Sequence, residues 1–361
     1  YGDHRDLHLS LRRQRQMCIR DRFITMGERD GAIHVIAIDT KNGKEIWNTK
    51  FAKGFKNNWG NGPRGTPTID GDKVYALAPK GELICLNIKN GSKVWNADLV
   101  KNFGGKAPYW GFSESVLVHG NNVVVTPGGG KGAIVALDKI TGKQIWQSKE
   151  IKDGAQYSSI IPIKHNGDDQ YVQLFMKSLV GVSATDGSLL WKTDWNGRTA
   201  VIPTPIYKNG KIYISSGYNV GCKLINLSQD NKVSEVYNND TIINHHGGVI
   251  LIGEHLYGHS DRGGWKCQNF ETGEEIWRSK ELGKGAIHYA DGMLYCLGES
   301  DGTVTLVKAN TKGWEETGRF KLSPQTKLRK PSGKIWTHPV VIGGNLYLRD
   351  QEIVYCYKVK A

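Results

Sequence analysis

Apolar and polar residues alternate along the chain from position 23 onward, in short runs separated by turn residues. VYAL at 74–77 follows the turn DGDK, and IYIS at 212–215 follows the turn KNGK. Alternation with a period of two residues predicts half-buried β-strands, and Gly, Asn and Asp at the joints predict tight turns. The pattern therefore indicates an all-β chain built from short strands.

One phrase recurs within this pattern: a strand, a Gly-containing turn and a second strand that ends in a large aromatic residue. The clear copies are AIDTKNGKEIW (37–47), CLNIKNGSKVW (85–95), ALDKITGKQIW (136–146), VSATDGSLLW (182–191) and CQNFETGEEIW (267–277). Degenerate copies end at Tyr237 and near Phe320. The spacing of about 40 to 50 residues is typical of a β-propeller blade.

Two further alternating strands precede each phrase, so one repeat supplies four strands. A single four-stranded blade cannot bury both of its faces, whereas radial stacking of blades buries them. We therefore predict that residues 23–361 form one β-propeller domain of eight four-stranded antiparallel blades, with the repeat Trp packed between blades. The last phrase, YCYKV at 355–359, matches a third strand with no fourth. We expect the first and last blades to be incomplete and the N-terminus to supply the missing strand.

Residues 1–22 do not continue this pattern. They contain no apolar core of a signal peptide, and LRRQRQMCIRDR at 11–22 resembles translated sequencing-adaptor sequence. A disordered basic tail is the alternative interpretation. Either way, we expect 1–22 to be a non-native or disordered segment outside the propeller, and the genuine start, with any export signal, to be missing from it.

The formal charge of +13 changes this picture little, because most lysines occur singly in repeated turns. Beyond residue 22 there is no dense Arg/Lys stripe with interleaved aromatic residues, so nucleic-acid binding is not predicted. No apolar run approaches the roughly 20 residues of a membrane-spanning helix. We expect a monomer with no membrane span.

The six cysteines show no CxxC, no CxxCH and no adjacent pair, so zinc, haem attachment and thioredoxin-type chemistry have no support. Cys85, Cys267 and Cys356 occupy the same mid-strand position in three repeats. Equivalent positions of separate blades point into separate packing layers. We therefore expect buried free thiols rather than disulfides.

The phrase Ala-x-Asp-x-x-Thr-Gly-x-x-x-Trp resembles the pyrroloquinoline-quinone-type repeat of quinoprotein alcohol dehydrogenase-like propellers. This group also includes the outer-membrane assembly lipoprotein of the β-barrel assembly machinery. The resemblance covers nearly all of 23–361 and implies a propeller fold and export to the periplasm or cell surface. It leaves function open, because the group contains both enzymes and non-catalytic scaffolds.

The topology of a propeller predicts where a site would lie. The loops leading into the innermost strands share one face with the loops between second and third strands, and in this sequence that face is rich in polar and aromatic residues. We expect them to converge in a funnel at one mouth of the central channel and to bind a protein partner or a small-molecule or glycan ligand. The candidate ligand-binding residues are Arg64, Tyr109, Trp110, Glu114, Tyr157, His245, His246, His259, Asp261, Arg262, His288 and His338.

Each of these groups also has a structural interpretation. His245 and His246 could hydrogen-bond neighbouring blades, and HSDR at 259–262 could be either a salt-bridged corner or an anion or sugar clamp. Three histidines (His245, His288, His338) together with Glu114 could bind a metal, but no short ligand spacing supports this, so no metal site is predicted.

The resemblance implies a second possible function, an oxidoreductase that uses pyrroloquinoline quinone. The dehydrogenases of the group hold the quinone between a tryptophan and the ring of two adjacent, disulfide-linked cysteines, with Ca²⁺ and an aspartate base. Trp110, Glu114, Asp261 and Arg262 could imitate parts of that site, but this sequence has no Cys-Cys pair. We therefore expect a binding scaffold, with quinoprotein oxidoreductase as the alternative and a hydrolase or lyase as a residual possibility; no catalytic residues are assigned.

Overall fold

The computed structural model describes residues 18–19 and 21–359, which form 31 β-strands arranged in eight antiparallel sheets. The sheets follow one another around a ring, so the chain is an all-β, eight-bladed propeller, as predicted. No helix in this part of the chain has the length and apolar character needed to cross a bilayer.

The first four blades take up the first half of the chain. Blade 1 contains β1 (Cys18–Ile19), β2 (Arg22–Arg29), β3 (Ala32–Asp39) and β4 (Glu45–Lys53). Blade 2 contains β5 (Thr68–Asp70), β6 (Lys73–Leu77), β7 (Glu82–Asn87) and β8 (Lys93–Asp98). Blade 3 contains β9 (Leu117–His119), β10 (Asn122–Val125), β11 (Val135–Asp138) and β12 (Gln144–Gln147). Blade 4 contains β13 (Ile161–His165), β14 (Asp168–Leu174), β15 (Ser178–Ser183) and β16 (Leu189–Asp194).

The other four blades complete the ring. Blade 5 contains β17 (Ile206–Lys208), β18 (Lys211–Ser216), β19 (Gly221–Leu227) and β20 (Val233–Asn239). Blade 6 contains β21 (Val249–Ile252), β22 (His255–Ser260), β23 (Gly264–Asn269) and β24 (Glu275–Ser279). Blade 7 contains β25 (Gly285–Ala290), β26 (Met293–Gly298), β27 (Thr303–Lys308) and β28 (Glu316–Lys321). Blade 8 contains β29 (Val340–Ile342), β30 (Asn345–Asp350) and β31 (Ile353–Lys358).

Within each blade the strands are hydrogen-bonded in chain order, from the channel outward. The first strands of neighbouring blades touch around the channel, as β5 touches β9 and β25 touches β29. The core lies between blades, where apolar side chains of the second and third strands interdigitate; Tyr75 and Leu83 of blade 2, for example, share a cluster with Val123 and Leu137 of blade 3. Alternation along each strand thus supplies an apolar surface to both neighbouring blades.

The repeat tryptophans pack between blades, as predicted. Trp95 of blade 2 is buried and its indole Nε1 donates to the carbonyl oxygen of Lys139 in blade 3, at 3.0 Å. The turn that follows Lys139 brings Gly142 onto the indole, with φ at 72°. A Cβ at that position would lie 2.6 Å from Cδ2 of Trp95, so only glycine fits. This arrangement is called the Trp–Gly contact below.

The Trp–Gly contact is also made by Trp47 and Trp146, and in blade 5 a tyrosine takes the place of the tryptophan, whereas the Trp191 indole donates to Gln170 of its own blade. Trp47 of blade 1 donates to Ile88 in blade 2 at 3.0 Å, and Gly91 covers its indole. In blade 5 the repeat ends in Tyr237, whose hydroxyl donates to Phe270 at 3.0 Å. A tyrosine can replace the tryptophan there because it offers both a ring to pack on and a hydrogen-bond donor at its far end.

The ring closes through the second strands of blades 8 and 1. The rings of Tyr347 and Phe23 are stacked with centroids 5.2 Å apart. The buried guanidinium of Arg349 donates to Thr25 Oγ1 at 2.7 Å and to the carbonyl oxygen of Met26 at 2.6 Å. Burial lowers the pKa of Arg349 to about 10. These contacts join positions more than 300 residues apart in sequence.

Blade 8 has three strands among the described residues, as the sequence predicted, whereas blade 1, also expected to be incomplete, has four because β1 pairs with β2. The expected N-terminal strand of blade 8 is not among them, because β1 pairs with β2 of blade 1, Cys18 opposite Phe23. Of the segment 1–22 assigned outside the propeller, residues 1–17 and 20 lie outside the described part of the chain. Arg22 already belongs to β2, and its side chain donates to the carbonyl oxygen of Ile88 at 3.0 Å.

The prediction of buried free thiols is correct for four cysteines and wrong for Cys356. Cys85, Cys222, Cys267 and Cys296 are buried and free, whereas Cys356 is free and exposed. Cys85 and Cys267 lie opposite Trp95 and Trp277 of the adjoining fourth strand. Cys356 occupies the equivalent position in β31, where the described residues supply no fourth strand to cover it.

Gly142→Ala tests the Trp–Gly contact, with Gly43→Ala as its matched control. Both glycines have φ near 70°, but a Cβ at Gly43 meets nothing within 4 Å. We expect Gly43→Ala to cost about 1 kcal/mol from left-handed backbone strain. Gly142→Ala should cost roughly 1–3 kcal/mol more, because its methyl group meets the Trp95 ring. Urea unfolding midpoints of the two variants measure this difference; equal midpoints would show that the contact does not limit the packing of blades.

Candidate functional site

Most candidate site residues lie on the loops that lead into first strands or join second to third strands; His259 and His288 are in strands β22 and β25. Because strand direction alternates within each blade, these loops share one face of the ring, called the loop face below. Side-chain contacts on this face join the candidate residues into two groups. One is a histidine cluster on blades 5 to 8, and the other is an aromatic rim on blades 2 to 4.

His245 is at the centre of the histidine cluster. Lys284 Nζ lies 2.7 Å from its Nδ1, and Tyr218 Oη lies 2.8 Å from its Nε2. Since an ammonium can only donate, Nδ1 accepts and the ring proton sits on Nε2, pointing at the Tyr218 oxygen. Burial, with the neighbouring His246 and Lys284, lowers the pKa of His245 to about 4. The imidazole is therefore neutral at neutral pH.

Asp261 completes the environment of Lys284. Its Oδ1 lies 2.6 Å from Lys284 Nζ, so the ammonium bridges a carboxylate and an imidazole. His259, near the end of β22, packs edge-on against Trp265 at 5.5 Å. Burial, and then the charge of Lys284, lower the pKa of His259 to about 4. Arg262 points to the outside, with its guanidinium 3.6 Å from Asp240 and mostly exposed.

His246 connects the cluster to blades 7 and 8. Its Nε2 is 2.7 Å from Glu299 Oε2, and its carbonyl oxygen accepts a hydrogen bond from His338 Nε2 at 3.0 Å. The pKa of Glu299 is lowered although burial alone would raise it, because His246 and Lys284 stabilise the carboxylate. The ring of Trp336 lies 5.9 Å from that of His246. Loops from four blades thus meet around two adjacent histidines.

Tyr109, Trp110 and Tyr157 form the aromatic rim. Tyr157 is buried, its hydroxyl accepts a hydrogen bond from the Trp110 backbone N–H at 3.3 Å, and the two rings are 5.7 Å apart. Tyr109 packs edge-on against Trp110 at 5.0 Å and is 75% exposed. Burial raises the pKa of Tyr157, opposed by the hydrogen bond from the Trp110 backbone N–H.

Arg64 supports the loop next to the aromatic rim. Its guanidinium lies 5.4 Å from the centroid of the Phe55 ring and donates to the carbonyl oxygen of Gly60 at 2.7 Å. Burial lowers its pKa, opposed by the charge of Glu28. The sequence predicted Arg64 as a ligand-binding group; in the structure, the contacts of this side chain hold its own loop in shape.

Glu114 lies beneath the loop face, only 3% exposed, and both of its carboxyl oxygens contact Thr126. The backbone N–H of Thr126 donates to Oε1 at 2.6 Å and its hydroxyl to Oε2 at 2.9 Å. Gln173 Nε2 of blade 4 donates to the same hydroxyl at 2.9 Å. Burial raises the pKa of Glu114 to about 7. The group is thus a buried link between blades 3 and 4.

His288 also lies inside the fold. It is in β25, opposite Tyr295 of β26, and is buried. Burial lowers its pKa to about 4.

Sequence reasoning missed Lys284 and Glu299 and left Tyr218 out of the predicted set. All three are on the loop face: Lys284 immediately precedes β25, Glu299 immediately follows β26, and Tyr218 lies between β18 and β19. The rule that selected the other candidates, loop position in the blade, would also have selected these. Lys284 and Glu299 were not selected because single charged residues in surface loops are common and do not by themselves indicate a site.

The residues present do not fit a calcium–quinone site. In the described part of the chain, no three His, Cys, Asp or Glu side chains are arranged to hold a metal ion. The oxygens of Glu114 contact Thr126, and Asp261 is paired with Lys284. The sequence also has no adjacent cysteines to form the disulfide ring. The candidate donors are thus held by partners from the chain itself.

Glu114→Gln tests the buried carboxyl. A folded-state pKa of about 7, above the ordinary 4.5, means that the folded protein holds this proton more tightly than the unfolded chain. Its stabilising contribution is complete below pH 4.5 and is lost as the pH rises through about 7. Glutamine keeps the shape without the charge. Relative to the wild type, the variant should therefore gain roughly 1–3 kcal/mol of unfolding free energy between about pH 5 and pH 8.

Urea unfolding at a series of pH values measures this gain, and Glu281→Gln, at an exposed position, is the control. A constant difference between Glu114→Gln and the wild type at every pH would contradict a buried carboxyl of raised pKa.

Comparison with solved structures places this fold among known propellers. BamB from Moraxella catarrhalis matches with a TM-score of 0.64 and 16% identity, over 94% of this chain and 91% of that chain. The quinohemoprotein alcohol dehydrogenase from Comamonas testosteroni matches with a TM-score of 0.60 and 13% identity, over 91% of this chain and 70% of that chain. The computationally designed protein Ika8 matches with a TM-score of 0.65 and 12% identity, over 95% of both chains. At these identities the likeness shows the fold alone.

Sequence comparison identifies the family. A search of the curated proteins found no match. The family described as outer membrane protein assembly factor BamB matches residues 3–111 and 32–279, two overlapping ranges that span well over half of the chain. The repeat phrase, the eight-bladed ring and this match agree, and the chain belongs to the BamB family of pyrroloquinoline-quinone-type β-propellers.

Proposed function

We propose that this protein is a non-catalytic scaffold that binds a protein partner on its loop face during the assembly of outer-membrane proteins, on the periplasmic side of that membrane. The single observation that carries the proposal is the aromatic rim, where Tyr109 presents a large side chain, 75% exposed, on a rigid base. Family membership supports the cellular role.

The rim has the properties of an interface anchor. Tyrosine and tryptophan dominate the energetic centres of protein interfaces, because they bury a large area at a low cost in conformational entropy. The loop that carries Tyr109 is fixed at both ends, by hydrogen bonds from Gly105 N to Leu99 O at 2.9 Å and from Phe112 N to Pro79 O at 2.9 Å. A partner would therefore meet a preorganised surface.

The histidine cluster supports a scaffold rather than an enzyme. Its central groups bind each other: Lys284 bridges His245 and Asp261, and His245 also contacts Tyr218. A side chain that acts as an acid or base must be able to reach a substrate. Mutual pairing of this kind favours a role in fixing the loops of blades 5 to 8 relative to one another.

Photo-crosslinking in cells tests the proposal. A photoreactive phenylalanine analogue replaces Tyr109, and the same analogue at Ile140 is the matched control. Ile140 is also exposed, but it lies in a turn between third and fourth strands, on the opposite face. We expect a discrete adduct with a component of the β-barrel assembly machinery from position 109 and not from position 140, because only position 109 lies on the loop face.

Equal adduct formation from the two positions, or none from position 109, would show that the loop face is not the binding surface. Circular dichroism spectra of both substituted proteins establish that each remains folded.

The competing proposal is a quinoprotein oxidoreductase, and titration calorimetry distinguishes the two. We expect pyrroloquinoline quinone with Ca²⁺ to give no binding heat and no spectral change, because the candidate donors are held by partners within the chain. Micromolar or tighter binding that weakens in Trp110→Ala or Arg262→Ala would instead establish the oxidoreductase.

A further inference from the structure

Two loops meet on the loop face at the junction between the first and last blades. The loop 54–67 joins β4 to β5, and the loop 322–339 joins β28 to β29. Lys330 Nζ donates to the carbonyl oxygen of Asn57 at 2.8 Å, and the rings of Trp59 and Trp336 are 6.3 Å apart. The two loops thus form one continuous surface, called the basic junction below.

The basic junction carries positive charge with no acidic residue of its own. The first loop contains Lys56 and Arg64, and the second contains Lys327, Arg329, Lys330 and Lys334; neither contains Asp or Glu. Two of the six charges face acidic side chains from other parts of the chain, because Arg329 pairs at 2.5 Å with the buried Asp350 and the charge of Glu28 acts on Arg64; the uncompensated charges are those of the four lysines. By contrast, Lys266 of β23 pairs with Glu275 of β24 at 2.9 Å.

Two apolar side chains stand out from the same surface. Trp59 is 45% exposed and Leu328 is 69% exposed. The Trp59 ring packs at a tilt against Trp336 and keeps nearly half of its surface exposed, so an apolar side chain of a partner could pack on it. Uncompensated lysines around a half-buried indole form a surface complementary to an acidic chain with an apolar residue among its carboxylates.

We propose that the basic junction docks an acidic, extended segment of a protein partner, with an apolar side chain of that segment packed on Trp59. This inference rests on the proposed scaffold function and names the chemistry of its partner. A protein segment fits better than an anionic membrane, because Trp59 is held against Trp336 and cannot leave the surface to reach the acyl region of a bilayer. Lysine stems around the indole would add apolar contact while their ammonium groups meet the carboxylates.

Fluorescence anisotropy with the full chain tests this proposal. The probe is a fluorescein-labelled peptide rich in glutamate with one central phenylalanine, and the reference probe has every glutamate replaced by glutamine. We expect the acidic probe alone to bind, with an affinity that falls as salt screens the charges. The double variant Lys56→Glu/Lys327→Glu should weaken binding by about tenfold or more, and Trp59→Ala should do the same, because Trp residues act as interface anchors.

The matched control is Lys44→Glu/Lys143→Glu, which changes the net charge by the same amount at two exposed turns of the opposite face. It should leave the affinity unchanged. Equal losses in the two double variants would mean that the probe responds to net charge alone, and would overturn the proposal. If Trp59→Ala fails to fold, the comparison between the two double lysine variants decides the test on its own.

Vesicles supply the remaining arm of the test. Sedimentation with vesicles of anionic phospholipid that depends on Lys56 and Lys327, in the absence of peptide binding, would assign the surface to a membrane and overturn the proposal. An adduct from position 109 together with no acidic-peptide binding would overturn this inference alone and leave the scaffold function intact. Absence of both the adduct from position 109 and the binding of the acidic peptide would overturn the proposed scaffold function as well.

Discussion

Much of the structure depends on one contact, the indole of a repeat tryptophan held between its own blade and a glycine of the next, as at Trp47, Trp95 and Trp146. Blades are separate hydrogen-bonded sheets, so only side-chain packing joins them. The Trp95 indole supplies a large apolar area and a directional hydrogen bond to Lys139, and Gly142 lets the next backbone approach its face. Where it occurs, the contact fixes the spacing and the rotation between neighbouring blades, and eight blades of similar geometry close the ring.

A ring held in this way leaves its loops free to vary. Turns on one face carry the glycines that pack on tryptophan, and they cannot change without disturbing the stacking. Loops on the other face are not part of that contact, and there the chain places Tyr109, His245 and Lys284. The two faces therefore have different roles. Turns on one face pack against the next blade and set the distance between blades, and loops on the other face present side chains at the positions that this packing has fixed.

Periodicity made the fold predictable, because a four-stranded blade with a Trp at its end is repeated often enough to be read from one sequence. The site was less predictable because its geometry depends on which loops meet. The sequence identified His245 and His246 as candidates. It could not predict that Lys284 contacts His245 and Asp261, because these residues come from different loops and the distance between the loops cannot be read from the sequence. Burial of Glu114 and exposure of Cys356 were unpredictable for the same reason. Glu114 is in a loop yet buried by blade 4, and Cys356 is mid-strand yet exposed, because each depends on what lies beside its blade.

The function of this protein therefore depends on the residues of its loop face and does not follow from the propeller fold. A computationally designed protein shares this fold at 12% identity, and a quinohemoprotein alcohol dehydrogenase shares it at 13%, so the likeness shows the fold and does not decide the function. What distinguishes this chain is how its polar groups are used. Lys284 contacts both His245 and Asp261, and His246 contacts Glu299, whereas Tyr109, Trp59 and Leu328 remain open to solvent. Groups that satisfy each other stabilise loops, and apolar groups left exposed on a rigid base lower their free energy by being covered. These exposed apolar side chains accordingly favour a surface that binds another protein.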